Sequence, residues 1–271
     1  MNYKEYEVPD SLRDFIKCFW SLDAGMTEKE ERQRIVPDGC MELIVHYGDL
    51  YKQYQLDGSS ILQPRSFVFG QITTPLEIAA TGITGMVAAR FQPDGFIPFS
   101  AYPIKLTENT AVPVNLLFGG DAFQLEAAVI NAKQNEKRIL ILSRFLSHKL
   151  REGDTVDRVI KMSLDTLMQS NGHINIEKLS DKMKINRRQL ERKFSSAIGL
   201  SPKQLSKVIR LQKTLKMLTQ NNTGNLTDIA YENGYFDQAH FIKDFKEFTG
   251  VSPKAFYSEN LKMNSLFVGS D

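Results

Sequence analysis

The segment Gly199-Leu200-Ser201-Pro202-Lys203-Gln204-Leu205 returns 51 positions later as Gly250-Val251-Ser252-Pro253-Lys254-Ala255-Phe256. Upstream, Leu190 and Phe194 match Phe241 and Phe245, and Leu179 matches Ile229 with one extra residue in the second copy, so the repeated unit is about thirty residues long. Each part has a physical role. Gly199 and Gly250 follow amphipathic stretches, where a residue without Cβ ends a helix in the left-handed conformation at low cost. Ser-Pro then restarts the chain as helix, serine capping the open backbone N–H groups and proline taking the first helical position.

The repeat therefore predicts a helix, a turn, a second helix, a glycine stop and a further helix. In copy one these are Ile176 to Met183, the turn Lys184 to Asn186, and Arg187 to Ile198. In copy two they are Leu226 to Asn233, the turn Gly234 to Asp237, and Gln238 to Thr249. Asn186 and Asp237 stand where a cap is needed, and Gly234 eases the second turn. Two copies are too few for a self-supporting solenoid, whereas a pair of short helices is how a helix-turn-helix presents its second helix to the major groove.

The faces agree. Leu190, Phe194 and Ile198 make one inward stripe, leaving Arg187, Arg188, Glu191, Arg192 and Ser195 elsewhere, with Lys182, Lys184 and Lys193 nearby. In the second unit Phe241, Phe245 and Phe248 point inward and leave Gln238, Ala239, Ile242, Lys243 and Lys246 on another face. Arg, Gln and Glu can contact base edges, while Lys more often meets phosphate. The joining helix, about Pro202 to Leu218, carries the stripe Leu205, Val208, Ile209, Leu215 and Leu218. It spans roughly 25 Å, a strut for readers about one DNA turn, roughly 34 Å, apart. Arg210, Lys213 and Lys216 either reach phosphate or solvate the outer face, and His240 either touches phosphate or is a neutral structural histidine.

The run Leu226 to Phe256, with Ile229-Ala230, Gly234-Tyr235-Phe236-Asp237-Gln238-Ala239-His240-Phe241 and Gly250-Val251-Ser252-Pro253, closely resembles the signature of the AraC/XylS family of bacterial regulators. The resemblance covers roughly Asp154 to Asn260. It implies two helix-turn-helix units joined by a long helix, with base-reading positions at Arg188, Glu191 and Arg192 in the first and at Gln238, Ala239, Ile242 and Lys243 in the second. Arg187 and His240 complete the candidate DNA-binding set. Glu191 and Ala239 depart from the long polar donors common there, so no target sequence transfers.

Charge divides with the repeat. Residues 1–153 hold 16 Lys or Arg against 19 Asp or Glu, a net of −3, while residues 154–262 hold 18 against 12, a net of +6. The basic half suits a polyanion partner. The acidic half reads as β-rich: Met41 to Tyr47, Tyr51 to Leu56, Arg65 to Gln71, Leu76 to Ala80 and Met86 to Gln92 are short, partly alternating and punctuated by Gly, Pro and Asp. Helical spacing follows at Asp121 to Lys133 and Asn135 to Lys149, with Ile139, Leu142, Phe145 and Leu146 as a core stripe. The polar break Arg151-Glu152-Gly153-Asp154 marks the boundary, and Val156, Val159, Ile160, Ser163, Leu164 and Leu167 begin the basic half as one buried helical face.

Short strands with frequent turns suggest a small barrel or sandwich, and the family likeness implies a cupin-like β-barrel, so the expected fold is α+β: a small cupin-like β-barrel with flanking helices over residues 1–153, and an all-α DNA-binding domain over 154–262. The stretch Arg34 to Ile44 with Arg90-Phe91-Gln92-Pro93-Asp94-Gly95 is similar to an N-terminal domain of AraC-type regulators. The family likeness implies a sensing or dimerising role for this half.

Enzymatic classes are disfavoured. His46, His148, His173 and His240 lack paired metal-ligand spacing, Cys40 reads as a buried thiol, and no Walker, nucleophile-elbow or dinucleotide motif appears. No cofactor or metal is expected. Two cysteines, no run of about 18 apolar residues and a charged N-terminus predict a cytoplasmic protein. The expected function is sequence-specific DNA binding in transcription, effector-modulated and activating, with double-stranded DNA, RNA polymerase, a small-molecule effector and a second copy as partners. A ligand-independent dimer and a cupin-like enzyme with a DNA-binding appendage are the alternatives. A filled interior would favour the former, three convergent ligands the latter, and an apolar cavity with a few polar groups the effector reading.

Overall fold

A computed structural model of the chain describes residues 1–26, 30–55, 57–151, 157–220, 231, 233–235 and 237–258, the side chains of 219, 220, 257 and 258 excepted. Its strands are β1 (Asn2–Tyr6), β2 (Ile16–Ala24), β3 (Arg32–Ile35), β4 (Glu42–His46), β5 (Tyr51–Tyr54), β6 (Ser60–Leu62), β7 (Ser66–Phe69), β8 (Leu76–Ala80), β9 (Thr84–Phe91) and β10 (Ala111–Pro113). They pair antiparallel in a six-stranded sheet, order β1-β2-β9-β4-β7-β10, and a four-stranded sheet, order β3-β8-β5-β6. No strand of one sheet pairs with a strand of the other among the described residues, so the expected closed, cupin-like barrel is corrected to a two-sheet sandwich.

The reason lies in what covers the large sheet. On β4 and β9, Leu43, Val45, Val87, Ala89 and Phe91 pack against helices α2 (Asp121–Asn131) and α3 (Asn135–Lys149) in one core. The alternate residues Ile44, Met86 and Ala88, with Cys18, Trp20 and Leu22 of β2, meet Ile35, Leu76 and Ile78 of the small sheet in another. Both faces of the large sheet are buried without closing the ladder. A short α1 (Val114–Phe118) precedes α2. Ile139, Leu142 and Leu146 of the predicted stripe are buried.

The remaining helices are α4 (Arg158–Gln169), α5 (Ile176–Lys182), α6 (Arg187–Ala197), α7 (Pro202–Gln220), α8 (Gln238–Thr249) and α9 (Pro253–Ser258). In α4, Ile160, Ser163, Leu164 and Leu167 are buried as expected, Val156 lying outside the described residues. Of the boundary, Glu152 to Asp154 lie outside them too. Arg151, exposed at the edge of the described part, donates through its guanidinium to the carbonyls of Ile97 at 2.6 Å, Ser100 at 3.0 Å and Pro98 at 3.1 Å.

Helix α7 is the axis of the C-terminal half. Leu205 joins the core of α4, α5 and α6, whereas Val208, Leu211, Leu215 and Leu218 join Phe241, Phe245 and Phe248 of α8. Across the second seam the buried Asp244 carboxylate lies 3.1 Å from Lys207 Nζ and 3.7 Å from Arg210 Nη2. Arg210 also donates to the Gly172 carbonyl at 3.2 Å, and Tyr235 packs under its guanidinium. Of the two readings for Arg210, the structure shows a tie among α7, α8 and the α4–α5 turn.

His46 is wholly buried against Tyr51 and Phe67, and burial pushes its pKa down to about 4. The unfolded chain takes up that proton near pH 6.5 and the folded chain only near pH 4, so protonation favours unfolding between them. This contribution is intact above pH 6.5 and, up to about 3 kcal/mol, is lost as pH falls to 4. Urea midpoints across this window should fall less in His46→Gln than in the natural chain. Asp244→Ala leaves Lys207 and Arg210 without their shared counter-charge. It should destabilise the helical half by more than about 2 kcal/mol, read as the urea midpoint of the far-UV helix signal, with Asp244→Asn milder.

Candidate nucleic-acid interface

Local sequence builds the first unit closely as read. Asn175 caps α5 by accepting from the Glu177 N–H. Lys184 takes a left-handed φ of 54° in the turn. Asn186 then starts α6 with a reciprocal capping box, its side chain accepting from the Gln189 N–H at 2.9 Å while the Gln189 side chain accepts from the Asn186 N–H at 3.2 Å. Leu190, Phe194 and Ile198 are fully buried.

The outer face of α6 presents Arg188 and Arg192 exposed, one helical turn apart. Arg187 is exposed too and pairs with Glu191 at 2.9 Å, so part of its charge is answered within the helix. The surrounding lysines are less concentrated than the spacing suggested. Lys193 pairs with Asp157, the cap of α4, and Lys182 donates to Thr166 at 3.1 Å.

The second unit repeats the construction where it is described. Asp237 caps α8 by accepting from the His240 N–H at 2.7 Å, and Gly250 ends it with φ 76°. Gln238, Ala239, His240, Ile242 and Lys243 are all exposed, while Phe241, Phe245 and Phe248 are buried. His240 Nε2 lies 3.6 Å from the buried Asp244. Leu226 to Ala230, in the predicted first helix of this unit, lie outside the described residues. Gly234 has φ 64°, and a Cβ there would fall 2.4 Å from the His173 ring, so the second turn is seated on the loop that enters the first unit.

The strut between the units is α7, 19 residues and so roughly 28 Å long. Ser201 and Gln204 cap it reciprocally at 3.2 and 2.9 Å. The repeated glycine stops also touch the β-rich half: Gly199 abuts Ile104, and Gly250 abuts Pro75.

A third contact between the halves was not legible from spacing. The turn Val36-Pro37-Asp38-Gly39-Cys40 lies on α7, with Val36 inside the α7–α8 core and Gln212 Nε2 donating to the Pro37 carbonyl at 2.6 Å. Gly39, at φ 81°, lets Leu205 come so near that an added Cβ would be 3.2 Å from its Cδ1.

Gln212 also lines a cavity of about 60 Å³ between the two sheets. Its walls are mainly apolar, among them Trp20, Ile35, Ile44, Ile78 and Met86. Its polar end holds Asp38, Glu42 and Arg90. Arg90 Nε donates to Glu42 Oε1 at 2.8 Å and lies 3.5 Å from Asp38, and Trp20 Nε1 donates to the same Glu42 oxygen at 3.0 Å. Burial pushes the Glu42 carboxyl up, against the pull of Arg90. Cys40 is buried, as read, and burial raises its thiol pKa. Among the described residues no group of three His, Cys, Asp or Glu is placed to hold a metal ion, and no helix is long and apolar enough to cross a membrane.

Two known families match separate parts of the chain. A helix-turn-helix domain family matches residues 179–259, and a family described as a domain of unknown function, DUF6597, matches residues 4–113. An uncharacterized HTH-type transcriptional regulator of Haemophilus influenzae is 30% identical over 56% of this chain and 54% of its own length. The HTH-type transcriptional regulator MtrA of Neisseria gonorrhoeae is 26% identical over 82% of this chain and 76% of its own. The HTH-type transcriptional activator RhaS of Escherichia coli is 30% identical over 30% of this chain and 29% of its own. The matches thus span about half of the Haemophilus relative and under a third of RhaS. Among solved structures, ToxT from Vibrio cholerae aligns over 88% of this chain and 97% of its own, with a TM-score of 0.48 and 13% identity. The chain thus carries an AraC-type helix-turn-helix domain at residues 179–259, following an N-terminal domain of a separate family at residues 4–113.

Proposed function

We propose that the protein is a sequence-specific, double-stranded-DNA-binding regulator of transcription, with residues 154–262 as its DNA-binding part. The observation that carries this is the pair of exposed second helices, α6 and α8, packed on one strut by buried inner faces. A solvated helix pair could be basic for solubility alone. Duplicated capping, duplicated glycine stops and two outward faces free of large core residues are what two readers require. Arg188, Glu191 and Arg192 read bases from α6, and Gln238, Ala239, Ile242 and Lys243 from α8. Arg187 and His240 lie at the edges of these faces, where phosphate passes.

The same reading makes the β-rich half a sensor. Its interior holds an apolar cavity with a few convergent polar groups, the arrangement expected of an effector site rather than of a filled dimerisation domain or a metal enzyme. Gln212 supports coupling, because one side chain of the strut closes the cavity and holds the Pro37 carbonyl. Whatever fills the cavity acts on the element that spaces the readers. Activation is the mode named for the RhaS relative, and we extend it to this chain with RNA polymerase as its partner. Exposed Leu116, Phe123, Ile130 and Leu140 on α1–α3 support pairing with a second copy.

Arg192→Ala tests the reader assignment. On DNA selected by the natural chain from genomic fragments it should weaken binding by about 1–3 kcal/mol and relax specificity at one position of the site. Measured by fluorescence anisotropy, equal affinity of both proteins for that DNA contradicts the assignment.

A further inference from the structure

Resting on the reading of the inter-sheet cavity as an effector site, two independent features of that cavity narrow what enters it. The first is charge. The charged side chains lining it are Asp38, Glu42 and Arg90, two carboxylates to one guanidinium, and the Arg90 Nε already donates to Glu42. An incoming carboxylate would be buried beside like charges, with the local cation committed. An incoming ammonium meets two carboxylates.

The second feature is the aromatic wall. Trp20 is buried, lines the cavity and donates its N–H to Glu42, so an indole stands directly beside a carboxylate. An aromatic surface next to a negative charge attracts a cation on both counts.

Size limits the rest. A water needs about 10–15 Å³ on this measure, so about 60 Å³ holds roughly five heavy atoms. We propose that the inter-sheet cavity binds a small organic cation, an ammonium group on a short apolar body, with Asp38 and Glu42 as its counter-charge and Trp20 beside it. The apolar wall takes the body of the ligand, and the polar end under Gln212 takes the head.

Trp20 is the chain's one tryptophan, so its emission reports on the cavity without labelling. The probes are n-butylammonium, n-butanol and n-butyrate at equal concentrations, titrated into the full chain. Butylammonium should shift the Trp20 emission saturably, at least tenfold more tightly than butyrate. Glu42→Gln should weaken it at least tenfold, and Asp38→Asn should weaken it also. Circular dichroism establishes that each variant is folded, and either folded variant suffices. Equal or tighter binding of butyrate, saturable binding of butanol alone, or no saturable response to any probe overturns the proposal. DNA affinity measured with and without saturating butylammonium addresses the effector reading separately. A bound cation that leaves DNA affinity unchanged refutes the coupling and leaves the cation site standing.

Discussion

The carboxylate of Asp244 is buried in the seam between α7 and α8, and the rest of the C-terminal half is arranged around its neutralisation. A buried carboxylate without a partner is far too costly to keep, so α8 can dock only where Lys207 and Arg210 both face it. Arg210 in turn reaches the Gly172 carbonyl at the entry to the first helix-turn-helix. One charge therefore sets the register of α8 on α7 and, through Arg210, ties it to the turn that enters the first helix-turn-helix. Apolar packing of Phe241, Phe245 and Phe248 supplies most of the driving force. It is non-directional, and alone would tolerate sliding along α7.

The strut belongs to both halves of the molecule. Its inner stripe is shared between two helical cores, and its remaining flank receives the Val36–Cys40 turn, whose own residues wall the inter-sheet cavity. Gly39 makes that approach feasible, since any side chain there would need a left-handed backbone and would crowd Leu205. The wall of the cavity thus rests directly on α7.

How much of this was legible in the sequence follows from how local each determinant is. Both helices of the first helix-turn-helix and the second helix of the other were legible nearly to the residue, because caps, glycine stops and 3.6-residue periodicity are local. The strands at Leu76–Ala80 and Glu42–His46 were found by their short apolar patterns between turn residues. β2 was not found, although it is nine residues long: Ile16 to Leu22 is buried on both faces apart from Lys17, so alternation is lost. The barrel expectation failed for a related reason. Short strands with frequent turns describe a sandwich as well as a barrel, and which forms depends on α2 and α3 covering one face, a non-local fact. The cavity cluster is non-local too, built from Trp20, Asp38, Glu42, Arg90 and Gln212. Arg90 inside the apolar run Met86 to Phe91 was its one visible signal, since a strand buried on both faces admits an arginine only with partners.

The central claim is that α7 spaces two readers on one face of the duplex. Hydroxyl-radical footprinting of the natural chain on DNA it selects from genomic fragments tests this most directly. The account predicts two protected segments on the same face, centred about one helical turn, roughly 10 base pairs, apart, with Arg192→Ala weakening one and Lys243→Ala the other. A single protected segment, unchanged in extent when either reader is altered, would contradict it.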